Sequence, residues 1–174
     1  MDLNPDWFLS NFFGNAAEAK ASGKISLPVS GTGPKITMID PRDVGTAAAA
    51  ILLAQDLAPL LKARRIEVHG PSRANFGDVA KALSAAVGYS IQIQQVPRDA
   101  WAAVLKGFGI PRVFAHSFLE TVEQADGVVP PGYECYGPPA WPTETSPELL
   151  ALGWKAKTLE EWAASEATKA VFAK

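Results

Sequence analysis

The chain has a single cysteine, Cys135, in 174 residues. An internal disulfide is therefore excluded, and so is a cysteine-rich zinc site. Histidine is almost as scarce: His69 and His116 are the two, too far apart in sequence to suggest a metal cluster. No excess of basic charge exists either. A formal net charge of -2 and an isoelectric point near 5.7 leave no electrostatic footprint for nucleic acid. No apolar run approaches the ~20 residues that a membrane-spanning helix needs. The opening MDLNPDWFLSNFF lacks the basic n-region of a signal peptide. Together these absences predict a soluble, cytoplasmic protein with no membrane or nucleic-acid partner. A hydrophobic fraction of 48% supplies the core of one domain over residues 1–174.

Several catalytic signatures are also missing. The stretch SGTGPKITMIDPRD, residues 30–43, looks at first like a phosphate cradle. A dinucleotide fingerprint needs strand, G-x-G-x-x-G and then a helix aimed at the phosphates. Here Ile36 stands in the third glycine's place and a strand-like run follows. No Gly-Lys-Ser or Gly-Lys-Thr occurs, so the stretch reads as a turn between short strands. G-x-S-x-G is absent. No tyrosine has a lysine four residues on: Tyr89, Tyr133 and Tyr136 are followed by Ile93, Gly137 and Ala140.

What is present alternates helix and strand. Asn4-Pro5-Asp6 predicts a helix start, with Trp7, Phe8, Asn11, Phe12, Asn15, Ala16 and Ala19 at helical spacing as far as Ser22-Gly23. Ile25, Leu27 and Val29 alternate as an edge strand, and Ile36–Ile39 is β-prone. Asp43 is expected to cap an apolar, alanine-rich helix from Val44 to about Gln55, buried against a sheet. Residues 65–69 alternate again. Asn75 and Asp78 form a capping arrangement for a helix ending at Gly88, followed by a strand from Ile91 to Val96. Helices should then carry Trp101, Val104, Leu105 and Phe108, and after Pro111 the inward-facing Phe114, Phe118 and Val122. Residues 127–147 hold six prolines and no period, which predicts a long loop. Thr158 with Glu161 is a capping box, worth about 1 kcal/mol, opening a terminal helix with Trp162 and Phe172. The order is that of an α/β fold with the alanine-rich helix as a crossover.

Candidate chemistry is thin. His116, one turn before Glu120, is either an acid or base in a pocket or an exposed helical histidine. Tyr133, Cys135 and Tyr136 either line a ligand mouth or pin the loop. No base stands beside Cys135 to activate it. Trp7, Phe8 and Phe12 stack on a substrate or pack in the core.

Taken together, WFLSNF, SLPVSGTGPKITMIDPRDVGTAAAAIL, IEVHGPSRANFGDVAKALSAAVGYSIQIQQVP and TLEEWAA resemble NmrA-like proteins, which are atypical short-chain dehydrogenase/reductases. In look they are closest to festuclavine-dehydrogenase-type reductases of specialised (secondary) metabolism. The resemblance implies a partial Rossmann-like fold, the C-terminal substrate-binding half, with the NAD(P)-binding half absent and the chain starting at the helix after the fifth strand. It also implies Trp7, Phe8, Asn11 and Phe12 as walls of the substrate and nicotinamide pocket, with residues 112–136, including Tyr133 and Tyr136, as its cover. NAD(P) is thus implied by the family alone, and no complete cofactor site is carried. A first helix and an alanine-rich helix without their sheet would expose apolar side chains at roughly 1.5–3 kcal/mol each. The chain is then expected to form a homodimer, or to pair with an N-terminal half or a full-length relative. Two other readings stand beside this one. One is a cofactor-independent isomerase or cyclase using His116, Tyr133, Asp126 or Glu134. The other is a non-catalytic regulatory or interaction protein.

Overall fold

The computed structural model describes residues 1–127 and 144–174. Tyr133, Glu134, Cys135 and Tyr136 lie outside the described residues. The strands are β1 (Asp2–Pro5), β2 (Trp7–Phe8), β3 (Lys24–Leu27), β4 (Ile36–Ile39), β5 (Arg65–Val68), β6 (Arg73–Ala74) and β7 (Gln92–Gln95). A 3-10 helix spans Leu9–Asn15. The α-helices are α1 (Ala16–Ser22), α2 (Pro41–Leu52), α3 (Ala58–Ala63), α4 (Phe76–Val87), α5 (Arg98–Gly107), α6 (Arg112–Ala125), α7 (Pro147–Leu150), α8 (Leu159–Ala164) and α9 (Glu166–Phe172).

The expected opening helix is corrected at its start. Residues 2–8 are extended: β1 lies parallel to β5, with Leu3 opposite Ile66 and Pro5 opposite Val68. β2 lies parallel to β4, with Trp7 opposite Met38. Helical spacing existed locally, but pairing with two β-prone runs distant in sequence overrides it. Pro5 serves a short strand as well as it would a helix start, because it has no N–H to leave unpaired. Helical structure begins only at Leu9 and closes at Gly23, whose φ of 71° is left-handed. The chain therefore opens on a strand, not on the helix after one.

β4, α2, α3 and β5 form the expected crossover, since both strands run parallel to the same segment. β3 and β7 make a separate parallel pair, and β6 adds antiparallel to β4. The cap of α2 is Asp40, not Asp43. Pro41, preset for a first helical turn, puts the cap one residue earlier, and the Arg42 amide donates to Asp40 Oδ1 at 3.0 Å. Asp43 is buried one turn on. Its carboxylate accepts from the Lys157 amide (2.8 Å) and ammonium, and its carbonyl accepts from Trp154 Nε1 (3.2 Å). That ties the C-terminal segment to α2.

Two cores result. The larger gathers Trp7, Leu9, Phe12, Phe76, Leu83, Trp101, Leu119, Trp162 and Phe172. The smaller packs Ile39, Ala47, Ile51, Leu60, Ile66, Val68, Leu149 and Trp154 between β1, β5 and the helices α2, α3 and α7. The aromatic residues of the opening segment thus find partners within the chain. The alanine-rich helix is less covered than expected: Leu52 and Leu53 are 81% and 82% exposed. In α6 the inward stripe is Ala115, Phe118, Leu119 and Val122, at i, i+3, i+4 and i+7, and it leaves Phe114 68% exposed. Val104 and Phe108 on α5 are exposed likewise, while Trp101 and Leu105 turn inward. Both capping boxes form as expected, at Asn75/Asp78 and Thr158/Glu161. The terminal helix breaks at extended Ser165, which caps α9. None of the described helices is long and apolar enough to cross a membrane.

Burial alone raises the pKa of Asp40, but the hydrogen bonds from Arg42 and the charges of Arg42 and Lys157 outweigh it and hold the carboxyl below its ordinary 3.8. A depressed value stabilises the fold above the unfolded pKa, and that share is lost as pH falls through the folded one. Asp40→Asn should therefore lower the urea midpoint at pH 7, and its deficit against the parent should shrink as the pH drops below 3.8. A deficit of constant size across that range would show the charge to be irrelevant.

Candidate functional site

Five aromatic rings from five elements converge next to β2. Trp101 stacks on Phe118 (5.6 Å, 17°), Phe118 on Trp7 (6.1 Å, 22°), Trp7 tilts against Phe76 (5.4 Å), and Phe12 meets Phe76 edge-on (5.6 Å). They enclose a cavity of about 30 Å³ whose wall also includes Asn11, Asn15, Leu27 and Val122. Among the described residues, no charged side chain lines it. Trp101 Nε1 donates to the Ser26 carbonyl at 3.1 Å. Trp7 Nε1 is buried without a partner among the described residues.

Of the residues expected at a substrate pocket, Trp7, Asn11 and Phe12 meet here. Phe8 does not. In a strand successive side chains alternate, so Phe8 points the other way and packs on the smaller core. His116 is exposed on the outer side of α6, in a groove shared with Lys106 and Arg112, away from the cavity. Sequence reasoning placed Phe76, Trp101 and Phe118 in the core without assigning them to a site. Their positions at the inward stripes of three helices were the available signal.

A polar cluster was missed altogether. His69 follows β5 and Asp6 follows β1, so the parallel register brings them side by side at the strands' carboxyl ends. His69 Nδ1 donates to Asp6 Oδ2 at 3.1 Å, and His69 Nε2 lies 3.4 Å from Glu67 Oε2 without a hydrogen bond. Thr145 and Ser146 close the edge of β5: the His69 amide donates to Thr145 Oγ1, and the Glu67 amide to Ser146 Oγ. This knot joins β1, β5 and the segment before α7.

The glycine-rich loop is filled from within. Asp126, just past α6, accepts from the amide of Gly33 (3.0 Å) and from the amide and hydroxyl of Ser30 (3.2 and 3.1 Å). Lys35 pairs with Asp78 at 2.9 Å, and that bond holds the Asp78 carboxyl below the usual aspartate range. Helix N-termini attract anions, but here α2 and α4 already carry Asp40 and Asp78. Neither the glycine-rich loop nor the N-terminus of α2 or α4 is open to a dinucleotide's pyrophosphate.

No family model matches the chain. It is 26% identical over 165 residues to an NAD(P)H azoreductase of Xenophilus azovorans, covering 95% of this chain and 52% of that protein. Among solved structures it resembles a Citrobacter sp. triphenylmethane reductase complexed with NADP(H) (TM-score 0.64, 17% identity, 94% of this chain and 51% of that one). It also resembles an Escherichia coli NADPH-dependent quinone oxidoreductase complexed with NADPH (TM-score 0.63, 21% identity, 92% and 51%). The fold is α/β with parallel strands, matching about half of these reductase structures. The chain spans about half the length of these relatives.

An unpartnered indole N–H costs stability, whereas its neighbour in the ring cluster supplies packing. Trp7→Phe is therefore expected to cost less than about 1.5 kcal/mol, against about 3–5 kcal/mol for Phe12→Ala, both read from urea unfolding. Equal losses would mean that the Trp7 N–H is satisfied in solution.

Proposed function

We propose that this chain is the substrate-side half of an NmrA-like, NAD(P)H-dependent reductase, and that the dinucleotide-binding half is provided by other residues. The observation that carries this reading is the uncharged aromatic cavity beside β2 in a chain whose own anion-holding positions are filled by Asp126, Asp40 and Asp78. When bound, the nicotinamide would supply hydride. This chain's part is to bind the acceptor and keep water from it. Trp7, Phe76 and Phe118 offer ring faces, and Trp7 Nε1 with the Asn11 amide offers polar contacts. The fit is to a neutral, flat, conjugated molecule, since a charged group would be desolvated there without a counter-charge. Relatives named for azo, triphenylmethane and quinone substrates agree with an aromatic or quinonoid acceptor. None of those names points to a specialised metabolite. The partner half is a segment of the same polypeptide or of a full-length relative.

The isomerase or cyclase reading needs two acid–base groups at the cavity. His116 lies outside it, and Asp126 is held by the glycine-rich loop. NADPH titrated against the isolated chain, followed by nicotinamide fluorescence, should show no binding, and a signal should arise only when a dinucleotide-binding half is added. Tight binding by the chain alone would overturn the half-site account.

A further inference from the structure

A cavity of about 30 Å³ has room for one or two waters and for no aromatic acceptor. One wall must therefore move, and the packing singles out the hairpin of α5 and α6. It contributes Trp101, Phe118 and Val122 to the cavity. It is braced internally by the Arg98–Glu123 ion pair (3.1 Å) and by the Trp101–Phe118 stack, so it can shift as a unit. Val113 and Phe114 are exposed on it, and Val104 and Phe108 border an open groove facing Gly14, Ala17 and Glu18. Pro97 enters it, and Gly127, at a left-handed φ of 82°, leaves it.

Among the described residues, two polar anchors tie this unit to the body. One is the Trp101–Ser26 hydrogen bond at its base. The other is Asp126 in the Ser30–Gly33 loop. A carboxylate just past a helix C-terminus is repelled by the helix dipole. Donors outside the helix must compensate, and Ser30 and Gly33 provide them. The bonds at Ser30 are exposed to solvent, so this anchor exchanges with water more readily than the buried stack.

We propose that Asp126 is a positioning residue that latches the α5–α6 hairpin over the aromatic cavity, and that its release from Ser30 and Gly33 admits the substrate. The second clause rests on the cavity being the substrate site. The motion is a swing of the helix pair about Pro97, and the glycine-rich loop is the catch that holds its other end.

Hydrogen exchange of the full chain, read by mass spectrometry, tests the latch without any ligand. Asp126→Ala should speed exchange in residues 98–125 about tenfold, the scale of a lost charge-assisted hydrogen bond, and leave α4 and α8 unchanged. Ser30→Ala, which keeps the carboxylate, should give about a threefold rise in the same segment. Stopped-flow quenching of tryptophan fluorescence by duroquinone, whose fully substituted ring does not add thiols, tests entry. Asp126→Ala should raise the association rate, and Trp7→Phe should remove most of the quenching. Unchanged exchange, or a rise spread through α4 and α8, overturns the latch. Local loosening with no gain in quinone entry overturns the gate. Absence of quenching in parent and variants alike removes the substrate site itself, which the exchange result distinguishes from a failed latch.

Discussion

Residues 2–8 pair with two different strands in succession, and the rest of the architecture depends on that switch. Over Asp2–Pro5 the partner is β5, and over Trp7–Phe8 it is β4. Because the segment is extended, Trp7 and Phe8 diverge, one into each core. A helix would have put both on one face and left the smaller core without its edge. The same register brings Asp6 to His69, and the resulting knot fastens the strand ends to Thr145 and Ser146. The aromatic cavity thus exists because a seven-residue stretch is a strand where its local spacing suggested a helix.

Electrostatics divides the molecule as sharply as packing does. Three positions that could have held a phosphate carry the chain's own carboxylates: Asp40 at α2, Asp78 at α4 and Asp126 in the glycine-rich loop. Each is satisfied by backbone amides together with a cation or hydroxyl, so none is free to leave without cost. The cavity, in contrast, has no charge at all. The proposed division of labour rests on that contrast: a neutral acceptor held in the cavity and the dinucleotide held elsewhere.

Much of this was legible beforehand, and the failures have physical causes. Elements with strong local signals came through: both capping boxes, the Gly23 and Gly88 stops, and the crossover from Ile39 to Arg65. Long-range pairing did not, because nothing local tells Asn4 that its partner is Glu67. Helix faces slipped where two apolar stripes competed. Phe114, Phe118 and Val122 repeat every four residues and drift around α6, whereas Ala115, Phe118, Leu119 and Val122 keep to one side. The site was half readable: Trp7, Asn11 and Phe12 carried over from family resemblance, but Phe76, Trp101 and Phe118 join them only in three dimensions. The Asp6–His69 contact had no signal in either chain segment, since it is a product of register.

The Trp7 indole carries a cost that packing alone does not explain. A buried N–H without a protein partner costs about 1–3 kcal/mol unless water or a ligand accepts from it. Trp101, two rings away, avoids that cost by donating to Ser26. Trp7 has no such partner among the described residues, although phenylalanine in its place would keep the ring contacts. A donor of this kind discriminates strongly, because a ligand lacking an acceptor leaves it unsatisfied once water is excluded. A flat ring with a carbonyl or azo acceptor at its edge satisfies the donor and the ring faces together, and an aliphatic ligand of equal size satisfies neither.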